Sequence, residues 1–402
     1  MRIQLKTGLA VLRRGPSTVQ IGLDQRHGTV LDGLEDGDVQ VLHELTAGLD
    51  DSLLGGPLPV VAAEANRAQR ARRLVAALAG TGVLLRTRSG RAALGRVGDL
   101  RPRLAPDAAA LSLTYPLAGD GWELLAARRG RVVEIRGTGR TGSTLATALA
   151  AAGIGVVGVS DPAPVSAADL VPGGATPHDI GFPGETVALR SIGHALGQID
   201  PAPPVPLATA PLAPAGRPRS FRGARRGVSA PDLVVLVDRA VADATRADAL
   251  IPADVPHLSI VVRETSVVVG PLVLPGRGPC LRCLDLHRCD GDRAWPLLLA
   301  QLLSRTGRRR APREETSLAL LAASLATLQI LAHLDGQTVP ASVGATLEAE
   351  LPDGLISCRP WPVHPGCGCH WPPAGPGRPP PASGDPPPQG KRTEPGTDRM
   401  PP

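Results

Sequence analysis

Apolar and polar positions alternate in LAVLRRG, TVQIGLD and HGTVLDGL, between residues 9 and 34, with Gly and Asp at the breaks. That pattern predicts three short strands. DVQVLHELTAG (38–48) and RAQRARRLVAALAGTG (67–82) change to helical spacing, and Gly80 is a good stop for the second helix. VLLRTRSG (83–90) then returns to an alternating pattern, as a β-wing would. Strands, two helices and a wing make residues 1–90 a small winged-helix-like α+β unit. It is either an accessory domain packed on its neighbour or a peptide-binding module that offers a strand edge. Residues 91–126 read as a helical linker. Residues 127–370 read as an α/β domain, with a Pro- and Gly-rich surface crossover at 198–230. Residues 371–402 are Pro, Gly and charge, a composition expected to stay disordered. No internal repeat is present.

Composition narrows the class. At 402 residues and 43% hydrophobic content, two or three domains with real cores are possible, and with 2% aromatics those cores must be Val, Leu, Ile and Ala. The formal charge of +6 comes almost wholly from Arg, the lysines being Lys6 and Lys391. No aromatic and basic patch accompanies it, so no nucleic-acid partner is expected. The N-terminus lacks a secretory pattern, and no run approaches the ~20 uninterrupted apolar residues that cross a bilayer. A cytoplasmic protein without a membrane partner is expected. Six cysteines in such a chain point to metal or redox use before disulfides.

Two groups of residues carry chemistry. In RVVEIRGTGRTGSTLATALAAAGIGVVGVSD (131–161), a strand meets Gly137, Gly139 and Gly142 in a G-x-G-x-x-G turn, then a helix, then a strand closed by Asp161. Glycines let a backbone approach phosphate, and the helix N-terminus supplies free N–H groups. Asp161 lies about 20 residues on, where a ribose-binding carboxylate belongs. A nucleotide fold with an empty site is the blander outcome. Arg140, inside the turn, is either a phosphate contact or a solvated turn residue. The second group is Cys280 and Cys283 in C-x2-C with Cys367 and Cys369 in C-x-C. Two such pairs can give four thiolates to one closed, structural zinc site. Four reduced thiols or a redox pair are the alternatives. His287, His364 and His370 are near enough in sequence to support or replace a ligand. Cys289 and Cys358 are left over.

The glycine turn with Asp161, the GPCLRC stretch and the terminal C-x-C together resemble the ThiF/HesA/MoeB family, the ubiquitin-activating-type adenylyltransferases, over residues 127–370. VRETSVVVGPLVLPGRGPCLRCLDLHR is the most specific part. The resemblance implies a Rossmann-like domain with a zinc knuckle. It also implies use of ATP and Mg2+ to adenylate the C-terminal carboxylate of a small carrier protein or peptide, and a homodimer. The N-terminal unit is similar to leader-peptide-binding modules, in which a ThiF-like protein presents a precursor peptide to a YcaO-type cyclodehydratase. By the same resemblance, Asp238 is the magnesium-binding acid, with Asp243 as the other candidate. The family's pattern is broken at several positions. Ala163 replaces a second Asp, Asp169 an Asn, Pro172 an Arg and Gly184 a Lys. Adenylation needs positive charge on the leaving pyrophosphate, and losing one preorganised group costs ~10²–10³ in rate. Arg140, Arg190 and RPRSFRGARRG (217–227) are candidate replacements. Two readings therefore stand: an adenylyltransferase with degraded or altered phosphate contacts, or a non-catalytic, zinc-stabilised scaffold for a precursor peptide. A nicotinamide oxidoreductase would rest on the glycine turn alone.

Overall fold

The computed structural model describes residues 2–24, 28–50, 52–55, 59, 61–87, 91–116, 119–196, 230–306 and 314–369. The expected disordered tail, 371–402, lies outside them, as does nearly all of the expected crossover at 198–230, including the arginine run 217–227.

The chain opens with β1 (Arg2–Leu5), β2 (Val11–Arg13), β3 (Val19–Ile21) and β4 (Thr29–Leu31). There follow α1 (Asp36–Ala47), β5 (Leu49–Asp50), α2 (Ser52–Gly55), α3 (Ala62–Leu78) and β6 (Leu84–Thr87). The alternating stretches at 9–34 form the antiparallel meander β2-β3-β4. The helical stretches are α1 and α3, which pack on each other and close a core of Ile3, Leu5, Leu42, Leu45, Leu74 and Leu78. The stretch expected to be a wing is a strand, but its partner is different. β6 pairs antiparallel with β1, at the start of the chain, in a sheet ordered β5-β1-β6. Local alternation shows that a segment is a strand; it does not show which strand it joins.

Next come α4 (Arg91–Val97), α5 (Arg101–Thr114) and α6 (Trp122–Arg128), which share a small core of Val97, Leu104, Ala108 and Leu125. Buried Lys6 donates to the carbonyl of Ser112 at 2.5 Å, tying the first strand region to α5.

The remaining elements are β7 (Val132–Arg136), α7 (Gly139–Ala151), β8 (Val156–Ser160), α8 (Gly184–Ala195), β9 (Leu233–Arg239), β10 (His257–Val262) and β11 (Ser266–Val273). They continue with α9 (Leu281–Gly291), α10 (Trp295–Thr306), α11 (Thr316–Asp335), β12 (Ala345–Glu350) and β13 (Ile356–Pro360). The strands form one sheet in the order β13-β12-β11-β10-β9-β7-β8. β10, β9, β7 and β8 are parallel; β11, β12 and β13 are added antiparallel. β9 reads LVVLVDR because it is central and covered on both faces, and its first six residues are buried. The connection from β8 to β9 passes over β7, so the strand order reverses between β7 and β9. Ligands of open α/β sheets bind outside the carboxyl ends of the strands at such a point.

α11 is long and apolar enough to cross a membrane by length and composition. Here it packs on α7, β10 and β11, with Leu318, Ala322, Leu325, Ala326 and Ile330 in the main core. At its end, Asp335 is held by Arg128 of α6 through Nε–Oδ1 at 2.8 Å and Nη2–Oδ2 at 2.6 Å. Both side chains are almost fully buried.

Candidate functional site

A cavity of about 790 Å³ opens at the switch point. Gly137 and Thr138 from the end of β7 line it, with Asp161 after β8 and Asp238 and Arg239 at the end of β9. The turn needs its glycines for three separate reasons. Gly137 has φ +107, and a Cβ there would lie 2.7 Å from the carbonyl of Val237. Gly139 has φ +54, and a Cβ would overlap the carboxylate of Glu314. Gly142 is buried against the carbonyl of Gly137 and does not line the cavity.

Asp161 closes the turn rather than pointing free. Its Oδ2 accepts from the Thr138 backbone N–H at 2.8 Å and from Thr138 Oγ1 at 2.7 Å, while Oδ1 accepts from the Ala163 N–H at 3.0 Å. Arg140 turns away from the cavity. Its Nη1 donates to the carbonyl of Glu314 at 2.8 Å and to Thr316 Oγ1 at 2.9 Å, joining α7 to the start of α11. Arg190 pairs with Asp179 at 2.5 Å and does not line the cavity. Pro172 is exposed and also outside it. Gly184, the first residue of α8, is buried where any side chain would run into Thr138 Oγ1.

Asp238 does line the cavity and is 8% exposed. Burial raises its carboxyl above the ordinary carboxylate range, against the pull of the Arg246 guanidinium that pairs with it. Asp243 lies alongside, its N–H donating to Asp238 Oδ2 at 3.3 Å and its own Oδ1 capping the turn at Thr245. Three cavity residues did not stand out as site residues in the sequence. Arg239 meets Asp169 at 3.3 Å and Glu314 at 3.2 Å; Arg246 also donates to the carbonyl of Arg136 at 2.9 Å; Glu314 is buried. Arg246 ends the triplet Ala244, Thr245, Arg246, a short turn after β9. Glu314 had no local signal at all. Among the described residues, the cavity wall carries Asp161, Asp169, Asp238, Asp243 and Glu314 with Arg239 and Arg246.

The four paired cysteines meet on the far part of the sheet. Cys280 caps α9 and Cys283 lies in its first turn, while Cys367 and Cys369 come from the turn after β13. Sulfur–sulfur distances are 3.8 Å (Cys280–Cys283) and 3.4 Å (Cys280–Cys367 and Cys283–Cys369), and all four sulfurs lie within 4.8 Å of one another. A tetrahedron of sulfurs at ~2.3 Å from a central ion has edges of about 3.8 Å. The set is therefore spaced to hold a metal ion. Burial raises the Cys280 thiol, and raises that of Cys369 to about 12. Burial opposes ionisation of Cys283 too, but backbone hydrogen bonds at His364 and Cys280 and the side chains of Cys369 and Cys367 outweigh it and bring that thiol down. Metal-free thiols of this kind do not all ionise together, so binding has to release protons. His364 belongs to a neighbouring group, with Nε2 at 2.9 Å from Asp290 and its ring edge-on to His287. Cys289 is half-buried and Cys358 is exposed on β13. His370 lies outside the described residues.

The sequence matches no protein-family model and no curated protein. Solved structures do match. E. coli MccB with ATP is similar at TM-score 0.59 and 15% identity, over 92% of this chain and 99% of that one. The microcin C7 biosynthetic enzyme MccB in complex with N-formylated MccA is similar at TM-score 0.59 and 15% identity, over 92% and 100%. PaaA is similar at TM-score 0.60 and 15% identity, over 88% and 98%. A likeness covering 92% of the chain runs through the N-terminal unit as well as the large sheet. The chain has the fold of these structures, the microcin C7 biosynthetic enzyme MccB among them, in line with the fold expected from its motifs.

Proposed function

We propose that the cavity at the switch point binds ATP and that the protein activates the C-terminal carboxylate of a peptide or small carrier protein by adenylation. The observation that carries this reading is the glycine turn, locked by Asp161 onto Thr138, at the mouth of a 790 Å³ cavity of nucleotide size. The MccB structures with ATP and with MccA support it by likeness of fold. In the reaction, a carboxylate oxygen of the peptide attacks the α-phosphorus. The bond to the β-phosphate oxygen breaks, and pyrophosphate leaves. Arg239 and Arg246 are the cations placed to receive its charge, in the role that Gly184 and Pro172 cannot fill. Asp238 and Asp243 are hard oxygen donors that fit Mg2+, whose charge would stabilise the leaving group. Asp161 shapes the turn and faces the ribose.

The four-cysteine centre takes zinc and ties the C-terminal turn to α9. In this reading 1–90 is the winged-helix-like peptide-binding domain, 91–126 the linker and 127–370 the nucleotide domain of a cytoplasmic homodimer. β2 and β4, the outer strands of the β2-β3-β4 meander, would offer their edges to an extended peptide.

The crowded position at Gly184 favours a second reading, a non-catalytic scaffold that delivers a precursor peptide to a YcaO-type partner. Calorimetric titration with ATP and Mg2+, followed by ATP–pyrophosphate exchange with candidate peptides, separates the two. A one-to-one isotherm lost in Asp161→Ala supports nucleotide binding. No heat at millimolar ATP from folded, metal-loaded protein leaves the scaffold.

A further inference from the structure

Glu314 is 4% exposed and lies at the N-terminus of α7. Its Oε2 accepts from the Thr141 backbone N–H at 2.7 Å. Its Oε1 accepts from Arg239 Nε at 3.2 Å and packs where a side chain on Gly139 would be. Thr141 is in the first turn of α7, so its N–H has no partner within the helix. Such N–H groups, facing a glycine turn, are where a nucleotide's phosphate rests. This chain has filled that place with a carboxylate from a residue more than 170 positions away in sequence. The filled place borders the cavity, and the same carboxylate pairs with Arg239, a cation of the cavity wall.

We propose that Glu314 is a built-in anion holding the phosphate seat of the glycine turn, so that a polyphosphate enters only when this carboxylate leaves the N-terminus of α7. The inference rests on the nucleotide-binding reading above and adds a selection step to it. Two anions cannot share one helix end and one guanidinium. Polyphosphate therefore competes directly with Glu314, and displacing it leaves Arg239 with Asp169 alone and opens its Nε to the incoming charge. Arg140, bonded to the Glu314 carbonyl, fixes the backbone at that point, so the motion required is one of the side chain alone.

The test uses the full, metal-loaded chain and the variants Glu314→Gln and Glu314→Ala. Each is titrated by calorimetry with inorganic pyrophosphate and, separately, with ATP and Mg2+. The amide of Glu314→Gln can still accept from Thr141 N–H, so the shape is kept while the charge is removed; Glu314→Ala removes both. The expected result is binding of both probes about tenfold tighter or more in the variants, the scale of one charge at a partly buried helix end. Tighter pyrophosphate binding with no ATP binding by any protein would uphold the role of Glu314 and sink the nucleotide reading. ATP binding by the wild type that is unchanged or weaker in both variants would overturn the role of Glu314 and leave the nucleotide reading standing. No binding of either probe by any folded protein would overturn both.

Discussion

The buried pair Arg128–Asp335 gives a quantitative test of how the helical linker holds the large sheet. The two side chains are 5% and 2% exposed, share two parallel hydrogen bonds, and leave Arg128 Nη1 to the carbonyl of Ala152 at 3.1 Å. Asp335 ends α11, a helix of 20 residues and so about 30 Å long. Just before its other end stands Glu314. The pair therefore anchors the far end of the rod that begins at the cavity. Asp335→Asn keeps the volume but turns an NH2 group toward a guanidinium N–H, leaving a buried charge without its partner. Removing one member of such a pair costs about 3–5 kcal/mol, whereas replacing both with apolar residues is often near neutral. The singles Asp335→Asn and Arg128→Met should each lower the unfolding free energy from urea titration by that order. Arg128→Met/Asp335→Leu should recover most of it, giving a coupling of about 2 kcal/mol or more. Singles that cost under about 1 kcal/mol, as exposed pairs do, or a double equal to the sum of its singles, would refute the reasoning.

Cys280→Ser and Cys367→Ser should each bind less than one equivalent of zinc by elemental analysis and melt at lower temperature. Unchanged melting in both would remove the centre's structural role. Stability should fall on acidification. His257 is fully buried with no partner for Nε2 among the described residues, and burial pushes its imidazole below the ordinary 6.5, so the folded state holds it neutral. The unfolded chain takes up the proton near pH 6.5, so the stability from this site is complete above about 6.5 and is lost as pH drops below it. His333 shifts the same way through burial. Urea midpoints equal at pH 7.5 and pH 5 in the wild type, or an identical acid slope in His257→Phe, would contradict this.

The strand, turn, helix and strand from 131 to 161 were legible because each rests on local spacing, and the closing Asp161 falls at a fixed distance from the glycines. The cysteine pairs were legible for a similar reason: each short spacing makes half a ligand set, and only their meeting needs the fold. What the sequence withheld came from long-range contact. Glu314 reaches Thr141 across 173 positions and Arg239 across 75, and nothing near residue 314 marks it as a site residue. VLLRTRSG showed a strand but not that β1 would be its neighbour. Gly184 could be read as a missing lysine, but only packing against Thr138 shows that no side chain fits there.

The large sheet ends at β13, all five of whose residues are exposed, and the chain passes from it directly to Trp361 and the cysteine centre. An open strand edge is a template for another chain. Cys367 and Cys369, drawn to α9, pin β13 in place over β12 at its C-terminal end. The metal would then act as a lock on the rim of the sheet. Its loss would first free the outermost strand and bare the edge of β12, well before the buried parallel strands felt anything. The protein's vulnerability to chelators would show as self-association that grows with concentration, while the cavity at the opposite side of the sheet kept its shape.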